Sequence, residues 1–264
     1  DSATVERLGI APLHEDLERI RGLSTTEQLP ELFGYLGRLG VQTPISTYVT
    51  ADGKNATRYV AYLSQSGLAL PDRDYYLSDD PELASTRTAY QQYAGRLLEL
   101  SGEATAGEAA RRILELETAL ARLHWERARN RDREATYNAF DIPELERLTP
   151  GFSWSSYLRT VDADVTPIVV VRQPDYLAGL DRVIAATPVE TWRHYLTVKL
   201  LDSYADFLGR DFVTASFEFR GRTLQGLAEM RPSVKARRLD TSLDLINAPE
   251  MWSALPAGTQ AEAG

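Results

Sequence analysis

Apolar residues recur along most of this chain at spacings of three and four, so the dominant predicted element is the amphipathic helix. After Asp79 and Asp80, with Pro81 at a first-turn position, Leu83, Tyr90, Ala94, Leu97 and Leu98 mark one face of a helix that stops at Gly102. Ile113, Leu116, Leu120 and Leu123 repeat the pattern, with Glu and Arg filling the other face. The two stripes predict an antiparallel helix pair joined through the short loop 102–107. A third strong helix follows Thr187-Pro188 and carries Trp192, Tyr195, Leu196, Leu200, Tyr204 and Phe207, with Gly209 as its stop. Shorter helices are expected over residues 13–20, 27–39 and 174–186. All of these stripes read as packed core rather than as cofactor-binding faces.

Two segments break the helical period. Residues 47–50 and 58–63 are rich in Thr, Tyr and Val around Ala51-Asp52-Gly53-Lys54, the composition of a β-hairpin whose Asp-Gly supplies the positive φ angles of the turn. Asn55-Ala56-Thr57, formally a glycosylation sequon, reads as part of that turn. The apolar β-branched run 167–171 is too short to separate a strand from a buried connector. The expected fold class is mainly α: a multi-helical domain with a small β-hairpin.

Composition narrows the function classes. A net charge of -9 argues against nucleic acid, whose phosphates would be repelled. No apolar run approaches the roughly 20 residues of a membrane span, and the chain opens on no signal-peptide pattern, so it reads as an excised or processed piece. The absence of cysteine excludes thiolate metal sites and cysteine nucleophiles. It also argues against a disulfide-rich animal ectodomain, while a cytosolic or an exported bacterial protein remains compatible. Glycine patterns of nucleotide-binding loops and of serine hydrolases are missing.

The titratable residues give no catalytic constellation. A hydrolytic zinc needs three protein ligands and an open position for water, a demand met efficiently by two histidines one helical turn apart with a glutamate after the first. The chain has three histidines, His14, His124 and His194. His14-Glu15 begins such a pattern, but Glu18 stands where the second histidine belongs. His124 and His194 read as structural histidines beside a Trp or Tyr, so no metal ligand is assigned. Glu99, Glu115, Glu117 and Glu126 read as ordinary helix-surface partners of arginine, and no catalytic residue is assigned either. Arg131-Asp132-Arg133-Glu134 fits a solvated or interdomain ion-pair network better than a carboxylate clamp, and Asn138 is expected to close a turn onto its own backbone.

Three islands are more specific. Residues 65–77 read Gln-Ser-Gly-Leu-Ala-Leu-Pro-Asp-Arg-Asp-Tyr-Tyr-Leu. Physically this is a locked loop: Gly67 permits a special backbone angle, Leu68 and Leu70 anchor it, and Asp72 is placed to accept N–H groups of a following helix. Arg73 is expected to pair with its flanking aspartates, while Tyr75 and Tyr76 supply apolar area with a hydroxyl at the edge. The second island runs from Arg131-Asp-Arg-Glu-Ala-Thr-Tyr-Asn138 through Leu145, Leu148 and Pro150 to Phe152, Trp154 and Tyr157. The third is Phe217-Glu-Phe-Arg-Gly-Arg-Thr-Leu-Gln-Gly226, followed by Glu229, Arg231 and Pro232.

These islands, in this order, resemble the N-terminal, non-catalytic domain of the neprilysin and endothelin-converting-enzyme family of zinc metallopeptidases. The resemblance covers residues 1–238 and implies a helical domain with a hairpin, lying opposite a catalytic domain across a large cavity. It implies that the complete enzyme hydrolyses small peptides with a zinc-bound water and a glutamate base. Its implied partners are the C-terminal catalytic zinc domain and peptide substrates. No cofactor is expected in this chain: the zinc belongs to the full-length enzyme, and this chain alone is expected to be inactive. Arg7 falls where family members place an arginine for the carboxy end of the substrate, which makes it the one substrate-binding residue the resemblance supplies. Residues 239–264 depart from the family and read as a divergent, partly disordered tail. An exported placement, periplasmic or cell-surface, is favoured over the cytoplasm. The competing expectation is a stand-alone helical module that binds a peptide or a protein and has no chemistry.

Overall fold

The computed structural model describes residues 2–164 and 167–230, so the expected tail at 239–264 lies outside the described residues. In chain order the helices are α1 (Ser2–Leu8), α2 (His14–Arg21), α3 (Leu29–Arg38), α4 (Asp74–Leu77), α5 (Pro81–Leu100) and α6 (Ala106–Leu123). They continue with α7 (Ile142–Leu148), α8 (Trp154–Thr160), α9 (Pro174–Ala186), α10 (Val189–Tyr204) and α11 (Arg210–Ser216). The strands are β1 (Ile45–Asp52), β2 (Asn55–Gln65), β3 (Asn138–Asp141) and β4 (Ile168–Val171). The chain divides into two compact units, Ile10–Ser203 and one that joins Asp1–Gly9 to the segment beginning at Tyr204.

The larger unit is built on the helices that the apolar period predicts. The Asp80 carboxylate accepts the N–H groups of Glu82 at 2.8 Å and Leu83 at 3.2 Å, capping α5 where Pro81 enters its first turn. Gly102, at φ +90°, closes its far end, and α6 folds back against it. Tyr90, Ala94, Leu97 and Leu98 of α5 are buried, as are Ile113, Leu116 and Leu120 of α6. The third helix departs at its end: α10 stops at Tyr204, a 3-10 turn follows over Ala205–Phe207, and Gly209 opens α11 instead of ending α10.

An aromatic cluster consolidates this unit and absorbs the Phe-x-Trp part of the second island. Phe152 and Trp154 lie 4.6 Å apart between ring centroids, Tyr157 is 5.7 Å from each, and Phe33 bridges to Trp192 at 5.6 Å. The Trp154 indole N–H donates to Thr149 Oγ1 at 2.6 Å, so the polar atom of this buried ring is satisfied. Helices α3 and α8 approach closely at Gly34, where a Cβ would meet Thr160 Cβ at 2.8 Å and the Tyr157 carbonyl at 3.2 Å. A larger residue there would overpack the contact at a cost of about 1–3 kcal/mol.

The β contribution is larger than one hairpin. Four strands form a sheet in the order β1-β2-β4-β3. The ambiguous run 167–171 is strand β4, parallel to β2 with Ala61 opposite Val169 and Leu63 opposite Val171. Its valines are fully buried, which explains why no alternation marks it. Asn138 does close its local turn, donating to the Ala135 carbonyl at 2.8 Å, but it also donates to the Val171 carbonyl at 3.0 Å and opens β3. Strand β3 has only four residues, too few to carry a period.

The hairpin turn is held differently from the expectation. Gly53 is not among the residues with left-handed φ. The Asp52 side chain organises the turn instead, accepting the Lys54 N–H at 2.9 Å, the Tyr137 hydroxyl at 2.6 Å and the Arg58 Nε at 2.7 Å. These donors, the Tyr137 hydroxyl foremost, hold the Asp52 carboxyl down at about 2.

In the smaller unit, Glu6 of α1 accepts the Arg210 N–H at 2.8 Å, placing a carboxylate at the start of α11. The first part of the third island is a π-helix, Phe217–Leu224, continuing from α11, while its Arg231 and Pro232 lie outside the described residues. Arg222 donates to both oxygens of Glu218 at 2.9 Å along its surface.

The Asp52 carboxyl titrates below its ordinary 3.8, so its contribution is complete above about pH 4 and is lost as pH falls toward 2. The gap in thermal midpoint between the wild type and Asp52→Asn is expected to be wide at neutral pH and to close across that acid window. A gap that does not change with pH would rule out the charge as its source.

Candidate functional site

The loop of residues 65–77 is where the larger unit concentrates its buried polar chemistry. Its backbone groups are satisfied almost one by one from neighbouring elements. The Gln65 N–H donates to Gln173 Oε1 at 2.9 Å and the Ser66 N–H to the Pro44 carbonyl at 3.1 Å. The Ser66 carbonyl accepts from the Tyr176 hydroxyl and from His124 Nε2, each at 3.1 Å. The Gly67 carbonyl accepts from the Tyr195 hydroxyl at 2.8 Å. Gly67 sits at φ +97°, and a Cβ there would lie 2.7 Å from that hydroxyl and 2.9 Å from Pro44 Cα, so the position requires glycine twice over.

Beneath the loop lies a carboxylate with no access to water. Glu117 of α6 is 0% exposed. Its Oε2 accepts the Tyr76 hydroxyl in a short hydrogen bond and the Ala69 N–H at 3.1 Å. Its Oε1 accepts the Tyr90 hydroxyl at 2.8 Å and the Lys199 ammonium at 2.9 Å. Tyr76 in turn accepts the Leu70 N–H at 2.9 Å, and Lys199 also donates to Gln42 at 3.2 Å. Four donors meet the four acceptor positions of one carboxylate, which is the condition for keeping such a charge dry. Burial, with the adjacent Glu117 charge adding to it, pushes the hydroxyls of Tyr76, Tyr90 and Tyr195 far above the ordinary tyrosine range. They stay protonated and donate.

Two clefts flank the locked loop. One, of about 670 Å³, opens between residues 65–74 and 124–130. Arg73 lies in it, donating to the His124 carbonyl at 2.9 Å and standing 3.8 Å from Glu126. The expected pairing of Arg73 with its flanking aspartates does not form: Asp72 pairs with Arg127 at 2.5 Å and caps the Asp74 N–H at 2.9 Å. The second cleft, of about 390 Å³, runs along β1 and shares Gln42 and Ser66 with the first.

The histidines do not converge. His14 is exposed on α2, where the neighbouring Glu18 pairs with Arg21 at 2.6 Å. His124 is mostly buried; desolvation holds its ring down at about 4, so it is neutral with Nε2–H donating to the Ser66 carbonyl. Its ring meets Tyr176 edge-on at 5.0 Å. His194 contacts Glu103 at 3.2 Å in a separate cleft. Among the described residues no group of three metal-ligating side chains assembles, so the donor set does not fit a zinc.

Other residues singled out from sequence fall in ordinary places, with one exception. Glu99 pairs with Arg96 at 3.3 Å, and Glu115 with Arg111, as helix-surface partners. Glu117 is the correction: it points into the core. The signal was present, because Glu117 stands four residues after Ile113 and three before Leu120, on the apolar stripe itself. Asp132 accepts the N–H groups of Glu134 at 2.9 Å and Ala135 at 3.0 Å, so the charge run around it is a capped, solvated turn. Arg7 is exposed in the last turn of α1, within the smaller unit.

The chain as a whole has counterparts among known proteins. A sequence model of peptidase family M13, of its N-terminal part, matches residues 1–249. The chain belongs to peptidase family M13. Endothelin-converting enzyme 1 of Homo sapiens is 31% identical to it over 229 residues, covering 81% of this chain and 30% of that protein. The crystal structure of Mycobacterium tuberculosis zinc metalloprotease Zmp1 in complex with inhibitor superposes with a TM-score of 0.84 at 35% identity, covering 89% of this chain and 36% of that one. The same enzyme in its open state gives 0.85 at 33% identity, over 96% of this chain and 40% of that one. This M13 chain therefore spans between 30% and 40% of the length of these relatives. It is the mainly helical N-terminal domain of a zinc metallopeptidase family, and none of its described helices is long and apolar enough to cross a membrane.

Glu117→Gln leaves Lys199 charged in a dry site, and Lys199→Met strands the carboxylate, so each is expected to lower unfolding free energy by about 3–5 kcal/mol. The double variant should recover a large part of that loss in a urea-denaturation cycle. Additive losses would show that the two side chains do not act as a pair.

Proposed function

We propose that this domain forms the non-catalytic wall of the substrate cavity in an M13 peptidase that hydrolyses small peptides. On this reading the zinc, its ligands and the glutamate base all belong to a C-terminal catalytic domain, the implied partner of this chain. Carrying the reading is the coincidence of a family match over residues 1–249 with histidines that, among the described residues, do not converge into a three-ligand group. Residues 1–238 are taken as the domain, and an exported placement is favoured by the resemblance. This domain's contribution is steric and positional: it limits access by size and offers polar contacts to a peptide.

The chain alone is expected to bind no stoichiometric zinc and to leave a fluorogenic peptide intact, whereas the complete peptidase should turn it over with zinc dependence. Metal analysis by atomic emission beside the peptide assay makes the comparison. Stoichiometric zinc with inhibitor-sensitive turnover in the isolated chain would refute the assignment.

Arg7, exposed at the end of α1, is proposed to contact the carboxy end of the peptide. Arg7→Ala in the complete enzyme should raise KM for peptides with a free C-terminus and leave amidated peptides unaffected. Equal behaviour of both substrate classes would remove Arg7 from the site.

A further inference from the structure

The cleft of about 670 Å³ is walled by the locked loop on one side and by residues 124–130 on the other, with Gln42 also in its lining. Arg73 enters it from the loop, carrying a planar fork of N–H donors. Among the described residues this guanidinium makes one hydrogen bond, to the His124 carbonyl at 2.9 Å, and the one carboxylate within reach is Glu126 at 3.8 Å. The flanking aspartates leave it alone. Asp72 is engaged by Arg127 at 2.5 Å, and Asp74 forms no ion pair among the described residues. The Arg73 side chain is 25% exposed, so its unused donors are only partly hydrated, a cost that an acceptor in the cleft would relieve.

A second donor is oriented by the buried charge pair. Lys199, 2% exposed, donates to Gln42 Oε1 at 3.2 Å as well as to Glu117. An ammonium can only donate, so the amide oxygen must face it and the Gln42 NH2 is left for another partner. Gln42 is exposed and lines the cleft, and no acceptor among the described residues meets that NH2. Two oriented donor groups therefore border one cleft. A carboxylate ligand would meet Asp72, Asp74 and Glu126 in the same lining, whereas a neutral main-chain carbonyl is not repelled. With Asp72 neutralised by Arg127, the exposed carboxylates of Asp74 and Glu126 remain to receive a positive charge.

We propose that this cleft holds an extended peptide segment, its main-chain carbonyls accepting from Arg73 and Gln42 and a lysine or arginine side chain reaching Asp74 and Glu126. This deepens the cavity-wall reading and rests on it: the segment belongs to the peptide on which the complete enzyme acts. The contacts involve neither terminus of that peptide. Main-chain hydrogen bonds supply tolerance of sequence, and the two carboxylates supply the preference for positive charge.

Acetyl-Ala-Ala-Lys-Ala-Ala-amide, which has no free terminus, and its Glu analogue are the probes, followed by titration calorimetry and by amide NMR shifts of the chain. The lysine peptide should bind about fivefold or more tightly, with shifts concentrated at Gln42 and at residues 65–74 and 124–130. Asp74→Asn combined with Glu126→Gln should erase that preference without moving the unfolding curve, because both carboxylates are exposed. Arg73→Lys keeps the charge, loses the fork and should weaken both peptides about tenfold. Replacing single peptide carbonyls by thiocarbonyls, which are weaker acceptors, should give a comparable loss at two positions with the protein unaltered. Equal affinity for the two probes, shifts elsewhere in the chain, or thiocarbonyl peptides that bind unchanged would overturn the proposal. In the complete enzyme the lysine peptide should show the lower KM, and the paired carboxylate substitution should remove the difference. Zinc-dependent turnover with a KM indifferent to peptide charge would sink this inference alone. Binding in the cleft without any turnover by the complete enzyme would sink the cavity-wall reading and leave the peptide site standing.

Discussion

A fully desolvated carboxylate is the constraint on which the rest of the larger unit turns. Removing Glu117 from water is tolerable only if every acceptor position on it is filled, and the donors come from four places in the chain: the backbone at Ala69, the hydroxyls of Tyr76 and Tyr90, and the ammonium of Lys199. One interaction thereby ties the 65–77 loop and α4 to the α5–α6 pair and to α10. The arrangement is exacting in a way that apolar packing is not. A core of leucines accepts many rearrangements, whereas a carboxylate with four donors accepts one.

The loop gains its shape from this support and in turn shapes the clefts. Tyr176, Tyr195 and His124 hold the carbonyls of Ser66 and Gly67, so the chain reverses at the end of β2 at a fixed angle. Ser66 then stands between the two clefts, a wall of both. Conservative-looking substitutions at the tyrosines would act on surfaces they do not touch, because removing a hydroxyl leaves a buried acceptor without its donor. The neutral state of His124 belongs to the same logic: a carbonyl partner and a dry setting disfavour the imidazolium.

Among the described residues the sheet has two edges, β1 and β3. Strand β3 is short and begins at an asparagine whose side chain is already committed. At β1 the edge is longer, ends on Asp52 and is bordered by a cleft.

Local rules made much of the fold legible. The apolar stripes of α5, α6 and α10, the Asp80 cap, the helix over Pro174–Ala186 and the need for glycine at position 67 follow from periodicity, capping chemistry and backbone sterics, all of which act within a few residues. The three islands named the family because they pack several such local demands into short spans. What depended on distant partners was hidden. Strand β4 became a strand only by lying beside β2, Asp52 displaced glycine as the organiser of the hairpin through Tyr137, and Glu117 exchanged the surface role of its neighbours for a buried one because Lys199 and two tyrosines were there to receive it. Helix period and caps are properties of neighbours in sequence. The fate of a charge is set by whichever donors the completed fold brings within 3 Å, and only the tertiary structure decides that.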